Sequence, residues 1–99
     1  LSAATREKEE SVMAQVEVYT RPMCGFCFKA KKLLGKKSVD FAEYDVWEEE
    51  GRKDEMVKRS GGAATLPQIF IDGKHVGGCD ELMQLESKGE LDKLLGAAA

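Results

Sequence analysis

Apolar and polar positions change rhythm several times along the chain, and each change predicts an element. The run Val16-Glu17-Val18-Tyr19 alternates, and Ala14 to Tyr19 reads as a strand. From Cys24 to about Gly35 the apolar residues Cys27, Ala30, Leu33 and Leu34 recur at spacings near three and four, which predicts an amphipathic helix with Gly35 as its stop. Phe41, Tyr44 and Val46 lie in a second strand. Glu48 to Arg59 predicts a second helix: three acids suit the positive end of its dipole, Met56 and Val57 face inward, and Ser60-Gly61-Gly62 ends it. Leu66 to Ile71 is a third strand, Asp72-Gly73 a two-residue hairpin turn, and Lys74 to Val76 a short fourth strand. Gly77-Gly78 leads into a helix near Asp80 to Glu86, and Glu90 to Leu95 adds a last turn or two. The order is βαβαββα. Crossover helices make the first two strands parallel and the hairpin adds two antiparallel ones, so the predicted class is α/β, a four-stranded mixed sheet with flanking helices.

Composition narrows the class. Ninety-nine residues form one small domain, and 42% hydrophobic with 33% charged residues is ordinary for a soluble globular chain. No apolar run approaches the roughly 20 residues that span a bilayer. A net charge of −3 and few aromatics argue against nucleic acid as a partner. The charge is uneven, however. Thr20 to Val39 carries Arg21, Lys29, Lys31, Lys32, Lys36 and Lys37 and no acid, whereas acids dominate from Asp40 to Glu55. Most of these side chains are accounted for as solvated helix faces, but the basic stretch surrounds two cysteines. Residues 1–12 are polar, lack the apolar core of a signal peptide, and carry Glu7, Glu9 and Glu10, which argue against a transit peptide. They are expected to be a tail preceding a domain that starts at Met13 and runs to Leu95, with 96–99 a second tail. Three cysteines, an odd number, do not suggest a framework of bridges, and the reducing cytosol is the expected location.

The chemistry lies in Cys24-Gly25-Phe26-Cys27, directly after a strand and at the start of a helix. Free N–H groups and the dipole at a helix N-terminus favour an anion. A thiolate there is the nucleophile of thiol–disulfide exchange, its pKa lowered from roughly 8.5 into the range of about 3.5–7.5. Cys24 is the nucleophile by position. Cys27, one turn inward, is the resolving thiol that attacks a mixed disulfide at Cys24 and closes an internal Cys24–Cys27 bridge.

Four stretches stand in order: Cys24-Gly25-Phe26-Cys27, Thr65-Leu66-Pro67, Asp72-Gly73 and Gly77-Gly78-Cys79-Asp80. Together they resemble the glutaredoxins of the thioredoxin-like fold, and among them the small bacterial glutaredoxins of the third type. The resemblance implies glutathione as reductant, glutathionylated and disulfide-containing proteins as substrates, and glutathione reductase as the indirect electron source. It implies a cis bond before Pro67, which would turn the Leu66 backbone toward a peptide substrate. It also implies that the N–H groups of Cys79 and Asp80, after Gly78, take the γ-glutamyl carboxylate of glutathione while the Asp80 carboxylate takes its amine. Arg21 matches the family's basic residue before the motif and would meet the glycine carboxylate, with Lys53 or its neighbour Arg52 as a second cation. Thr65 and Phe26 complete the glutathione-binding set. Cys79 is expected to be a packing thiol, and His75, the only histidine, a surface or packed residue.

The motif departs from the family's common dithiol form, which has proline second and tyrosine third. Gly25 loosens the helix start, and Phe26 keeps the ring without the hydroxyl. Gly-Phe also echoes the monothiol branch, so a second function stands beside the reductase: a dimer carrying a [2Fe–2S] cluster on two Cys24 thiolates and two glutathiones. Without the cluster a monomer is expected. A zinc site of Cys24, Cys27, His75 and Cys79 is a third, weaker reading, since it leaves Arg21, Pro67 and the glycines unused.

Overall fold

The structure is a computed structural model and describes residues 14–96. The tail expected over 1–12, the Met13 start and residues 97–99 lie outside the described residues. The elements are β1 (Val16–Thr20), α1 (Gly25–Lys36), β2 (Phe41–Asp45), α2 (Arg52–Arg59), β3 (Gln68–Ile71), β4 (Lys74–Gly77), α3 (Cys79–Ser87) and α4 (Leu91–Leu95). The sheet order is β2-β1-β3-β4, with β1 and β2 parallel and the other two pairs antiparallel. No helix among the described residues is long and apolar enough to cross a membrane.

Period two along β1 and β3 splits their side chains between the two faces of the sheet. Val16, Val18, Ile69 and Ile71 go to one face, where they pack with Ala30 and Leu34 of α1, Leu82 of α3 and Leu91 and Leu95 of α4. Tyr19 and Phe70 go to the other and pack with Met56 of α2, flanked by Tyr44, Val46, Val57 and Leu66. Both faces of the central strands are therefore covered, which is why every residue of β3 is buried. Asp72 and Gly73 both take positive φ, 53° and 79°, as a two-residue turn matched to strand twist requires. The Asp72 carboxylate accepts the Gln15 N–H at 2.9 Å, tying the turn to the start of β1.

Two element boundaries differ from expectation for local reasons. The second helix begins at Arg52 and not at Glu48. Asp45 Oδ1 accepts the N–H groups of Trp47 (2.9 Å) and Glu48 (3.2 Å), which holds that stretch in a turn, and Gly51, at φ 85°, caps the helix. Asp54 and Glu55, not Glu48 to Glu50, are the acids of its first turn. The first helix runs one residue past Gly35. Lys37 caps it and Ser38, at φ 58°, turns the chain, while Lys37 Nζ pairs with Glu86 (2.7 Å) and Asp92 (2.9 Å) to join α1 to α3 and α4.

The α2 face also holds an ionic cluster. Arg59 donates to both carboxylate oxygens of Glu17 (2.8 and 3.1 Å) and to the Tyr19 hydroxyl (2.7 Å), and its guanidinium lies 4.2 Å from the Phe70 ring centre. Tyr19 in turn donates to Glu55. The Arg59 hydrogen bond is the main reason that the Glu17 carboxyl titrates below its ordinary 4.5, against the opposing effect of burial. The contribution of ionised Glu17 is therefore present above that value and lost as pH falls below it, through the folded-state pKa. Arg59→Met is expected to cost about 1–3 kcal/mol at neutral pH, the size of a charged hydrogen-bonded contact. In urea titrations the gap to wild type should narrow as pH falls below the ordinary carboxylate value and Glu17 takes up its proton in the folded state. A gap independent of pH would mean that Arg59 acts by packing on Phe70.

Candidate active site

β1 delivers the chain into the short loop of Arg21, Pro22 and Met23, and Cys24 then stands as the N-cap of α1 with extended backbone (φ −120°, ψ 109°). In that position its Sγ accepts the Cys27 N–H at 3.2 Å, doing for the helix what a serine or aspartate oxygen does at other N-caps. A thiolate at this sulfur meets the positive end of the helix dipole. Cys24 is half-buried and Cys27 is buried, a packing member of the inward face of α1. Burial, helped by the hydrogen bond to Cys24, pushes the Cys27 thiol up to about 12. At neutral pH Cys27 is thus a protonated, shielded thiol, and Cys24 is the thiol within reach of solvent.

A groove of about 240 Å³ opens beside this loop. Phe26 forms one side, Thr65, Leu66 and Pro67 a second, and Gly78, Cys79 and Asp80 a third. The Leu66–Pro67 bond is cis, and β3 begins at Gln68, two residues after the expected Leu66. Gly78 lets α3 approach this loop: a Cβ there would stand 3.2 Å from the Pro67 carbonyl oxygen. Gly77 takes φ 124°, and a Cβ on it would run into the Glu81 side chain. Burial pushes the Cys79 thiol up, Asp80 and Cys24 add to it, and Lys29 opposes them. A buried, protonated Cys79 fits the packing role expected of it.

Arg21 and Lys53 do not line the groove. Arg21 Nη1 donates to the carbonyls of Pro22 (3.0 Å) and Met23 (3.3 Å), and the guanidinium lies 5.3 Å from the Trp47 ring centre. Its charge stays along the thiol loop, bracketed by an aromatic that sequence reasoning passed over. Lys53 is an exposed residue in the first turn of α2, while Arg52, its possible substitute, is engaged with Glu49 and Glu55 at 2.7 and 2.9 Å. Glu81 was also missed. It lines the groove, and its Oε1 accepts the Gly78 N–H at 2.7 Å. The spacing Gly78-x-x-Glu81, half of a capping box, was the available signal.

Among the described residues no three His, Cys, Asp or Glu side chains gather to hold a metal ion. Cys24, Cys27, His75 and Cys79 therefore do not form the zinc set considered above. His75 instead faces Gln68 across β3 and β4, its Nε2 2.5 Å from Gln68 Oε1. An iron–sulfur cluster bound through thiolates takes four such ligands. With Cys27 and Cys79 buried, one chain does not fit a cluster by itself, and the chemistry below runs without one.

An accessible thiol capping a helix, a shielded thiol one turn on, and a cis X–Pro loop across the adjacent groove, all on a mixed four-stranded sheet, define a thiol–disulfide oxidoreductase of the thioredoxin-like fold. The family is narrower: the chain is a glutaredoxin, for the Glutaredoxin family model matches residues 16–76. It is 49% identical over 83 residues to glutaredoxin 3 of Escherichia coli strain K12, covering 84% of this chain and 99% of that one. Glutaredoxin 1 of Rickettsia prowazekii is 48% identical over 87 residues, covering 87% and 92%. Among solved structures, that of a Brucella melitensis glutaredoxin superimposes with TM-score 0.74 at 48% identity over 86% of this chain and 91% of the other. A buckwheat glutaredoxin–glutathione complex gives 0.77 at 28% identity, covering 99% and 94%.

Proposed function

We propose that this glutaredoxin reduces protein–glutathione mixed disulfides with glutathione as reductant, and protein disulfides through both motif cysteines. The observation that carries the reading is the division of labour between one reachable thiol at a helix start and one buried, protonated thiol a turn away. The Cys24 thiolate attacks the glutathione sulfur of the mixed disulfide. A Cys24–glutathione bond forms, the substrate sulfur leaves as a thiolate and takes a proton from water. A second glutathione, as thiolate, attacks the bound glutathione sulfur, releasing glutathione disulfide and restoring the Cys24 thiolate. With a protein disulfide, the Cys24 thiolate attacks one sulfur and the other leaves as a thiolate that takes a proton from water. Cys27 then loses its proton to water as it attacks the Cys24 sulfur, displaces the remaining substrate sulfur as a thiolate and leaves a Cys24–Cys27 bridge for two glutathiones to reduce.

Glutathione would lie in the groove. Its γ-glutamyl carboxylate would sit at the start of α3 on the N–H groups of Cys79 and Asp80, where helix N-termini favour anions, with the Asp80 carboxylate on its amine. Its cysteine backbone would pair with Leu66 beside Thr65 and Pro67, and Phe26 would cover it. Arg21 is the cation assigned to the glycine carboxylate, with Lys53 in support. The buckwheat relative's glutathione complex and the matching groove residues support this placement. A monomer working in a reducing compartment, the cytosol, belongs to the same reading. There the substrates are glutathionylated and disulfide-bonded proteins, and glutathione reductase recycles the oxidised glutathione. The alternative [2Fe–2S] carrier would need a second copy and two external thiols.

The test is glutathione-dependent reduction of a small glutathione mixed disulfide and of a protein disulfide by wild type and Cys27→Ser. The variant should keep the first activity, within about threefold, and lose the second. Loss of both in the variant alone would make the internal bridge obligatory. Inactivity of wild type with both substrates would remove the reductase reading.

A further inference from the structure

Gln68 and Thr20 are the buried polar residues among the described ones, and the mechanism uses neither. The Gln68 amide Nε2 donates to the Thr65 carbonyl oxygen at 2.9 Å and approaches the Thr65 hydroxyl at 3.2 Å. A backbone carbonyl can only accept, so the nitrogen of this amide must face Thr65 and its oxygen must face the other way. That oxygen lies 2.5 Å from His75 Nε2. An oxygen acceptor there requires His75 to carry a proton on Nε2, in its neutral as in its charged form. Packing holds the imidazole in this orientation, since β4 places His75 opposite Phe70 and the two rings lie 5.0 Å apart at 36°. A directed chain thus runs from the His75 N–H on the exposed edge strand, through buried Gln68, to the oxygens of Thr65. Thr65 lines the groove, whereas Gln68 and His75 do not.

We propose that Gln68 and His75 are positioning residues that fix Thr65, and through it the Leu66 backbone, for substrate in the groove. The inference rests on the glutathione-binding reading of that groove. Thr65 itself is exposed, and the two bonds from Gln68 anchor its polar oxygens to the sheet. A groove wall held only by its covalent neighbours samples many geometries, and binding then suffers more than the chemistry at the sulfur.

His75→Phe keeps an aromatic ring against Phe70 and deletes the donor. His75→Gln deletes the ring and supplies an amide N–H that can reach Gln68 Oε1. With the glutathione–cysteine mixed disulfide as probe, His75→Phe is expected to raise KM roughly 3- to 10-fold, the size of one hydrogen bond, and to leave kcat within about twofold. The rate of iodoacetamide alkylation at Cys24 should not change. His75→Gln should return KM to near the wild-type value. The amide resonances of Thr65 and Leu66 should move in the Phe variant and stay in place in the Gln variant. An unchanged KM in His75→Phe would overturn the relay, because packing on Phe70 alone would then be what His75 supplies. Equal damage in both variants would overturn it because the restored amide donor would have rescued nothing. If wild type failed to turn over the probe, the glutathione reading would fall. The Thr65 and Leu66 resonances would still decide the relay, an unmoved pair in His75→Phe refuting it.

Discussion

Cys24→Ser is expected to abolish thiol–disulfide exchange, by about a thousandfold or more, since the step loses its nucleophile and no other group can take its place. A serine hydroxyl at the same N-cap would still accept the Cys27 N–H, so the helix start survives the change. The remaining thiols are poor substitutes. Cys27 is 1% exposed and pushed up to about 12, and Cys79 is 5% exposed with its thiol also shifted upward by burial. Both are protonated at neutral pH, and only the thiolate attacks. The same variant should lose the rapid alkylation by iodoacetamide expected of wild type. Mass spectrometry would find a single fast adduct on wild type, at Cys24, and none on the variant. Fast labelling that persists in Cys24→Ser would move the reactive thiol to Cys79, in the groove wall, and with it the site of the mixed disulfide.

The second large effect is on stability. Leu82 is fully buried where α3 meets the sheet, among Val18, Ala30, Leu34, Ile69, Leu91 and Leu95. Leu82→Ala should cost about 2–5 kcal/mol, the transfer free energy of the removed atoms plus the cavity they leave. For a domain of this size that is a fall in Tm of roughly 8–40 °C, taking about 4–8 °C per kcal/mol. Leu82 lies three residues after Cys79 and one after Glu81, so the core contact of α3 also seats the helix start that walls the groove. Exchange activity at low temperature should therefore show a raised KM alongside the lower Tm in thermal melts followed by circular dichroism. A shift below about 1 kcal/mol would mean that α3 repacks, and that the groove does not depend on this anchor.

Much of the architecture was legible because its signals are local. Period two in Val16 to Tyr19, helical spacing in Cys27 to Leu34 and the Asp72-Gly73 turn each involve a few neighbouring residues, and the structure has the expected element order and mixed sheet. The Cys24-x-x-Cys27 spacing at a strand-to-helix junction was legible in the same way. Boundaries were lost where side chains compete with the backbone. Asp45 captures the N–H groups of Trp47 and Glu48, and Gly51, unremarked in the sequence, starts α2 four residues late. Lys53 was legible as a cation, but which way its exposed helix face points relative to the groove depends on how α2 packs on the sheet.

The sequence by itself determined the strands, the helices, the hairpin and the position of the thiols at a helix start, because hydrophobic period, turn chemistry and capping act over one to four residues. Tertiary structure alone decided which thiol is reachable, since Cys27 and Cys79 are buried only once α1 and α3 pack on the sheet. It alone brought Phe26, Thr65 and Asp80, more than fifty residues apart at the extremes, to one groove. It also set Gln68 between Thr65 and His75, because hydrogen-bond partners across a sheet follow from strand register, which depends on contacts distant in the chain.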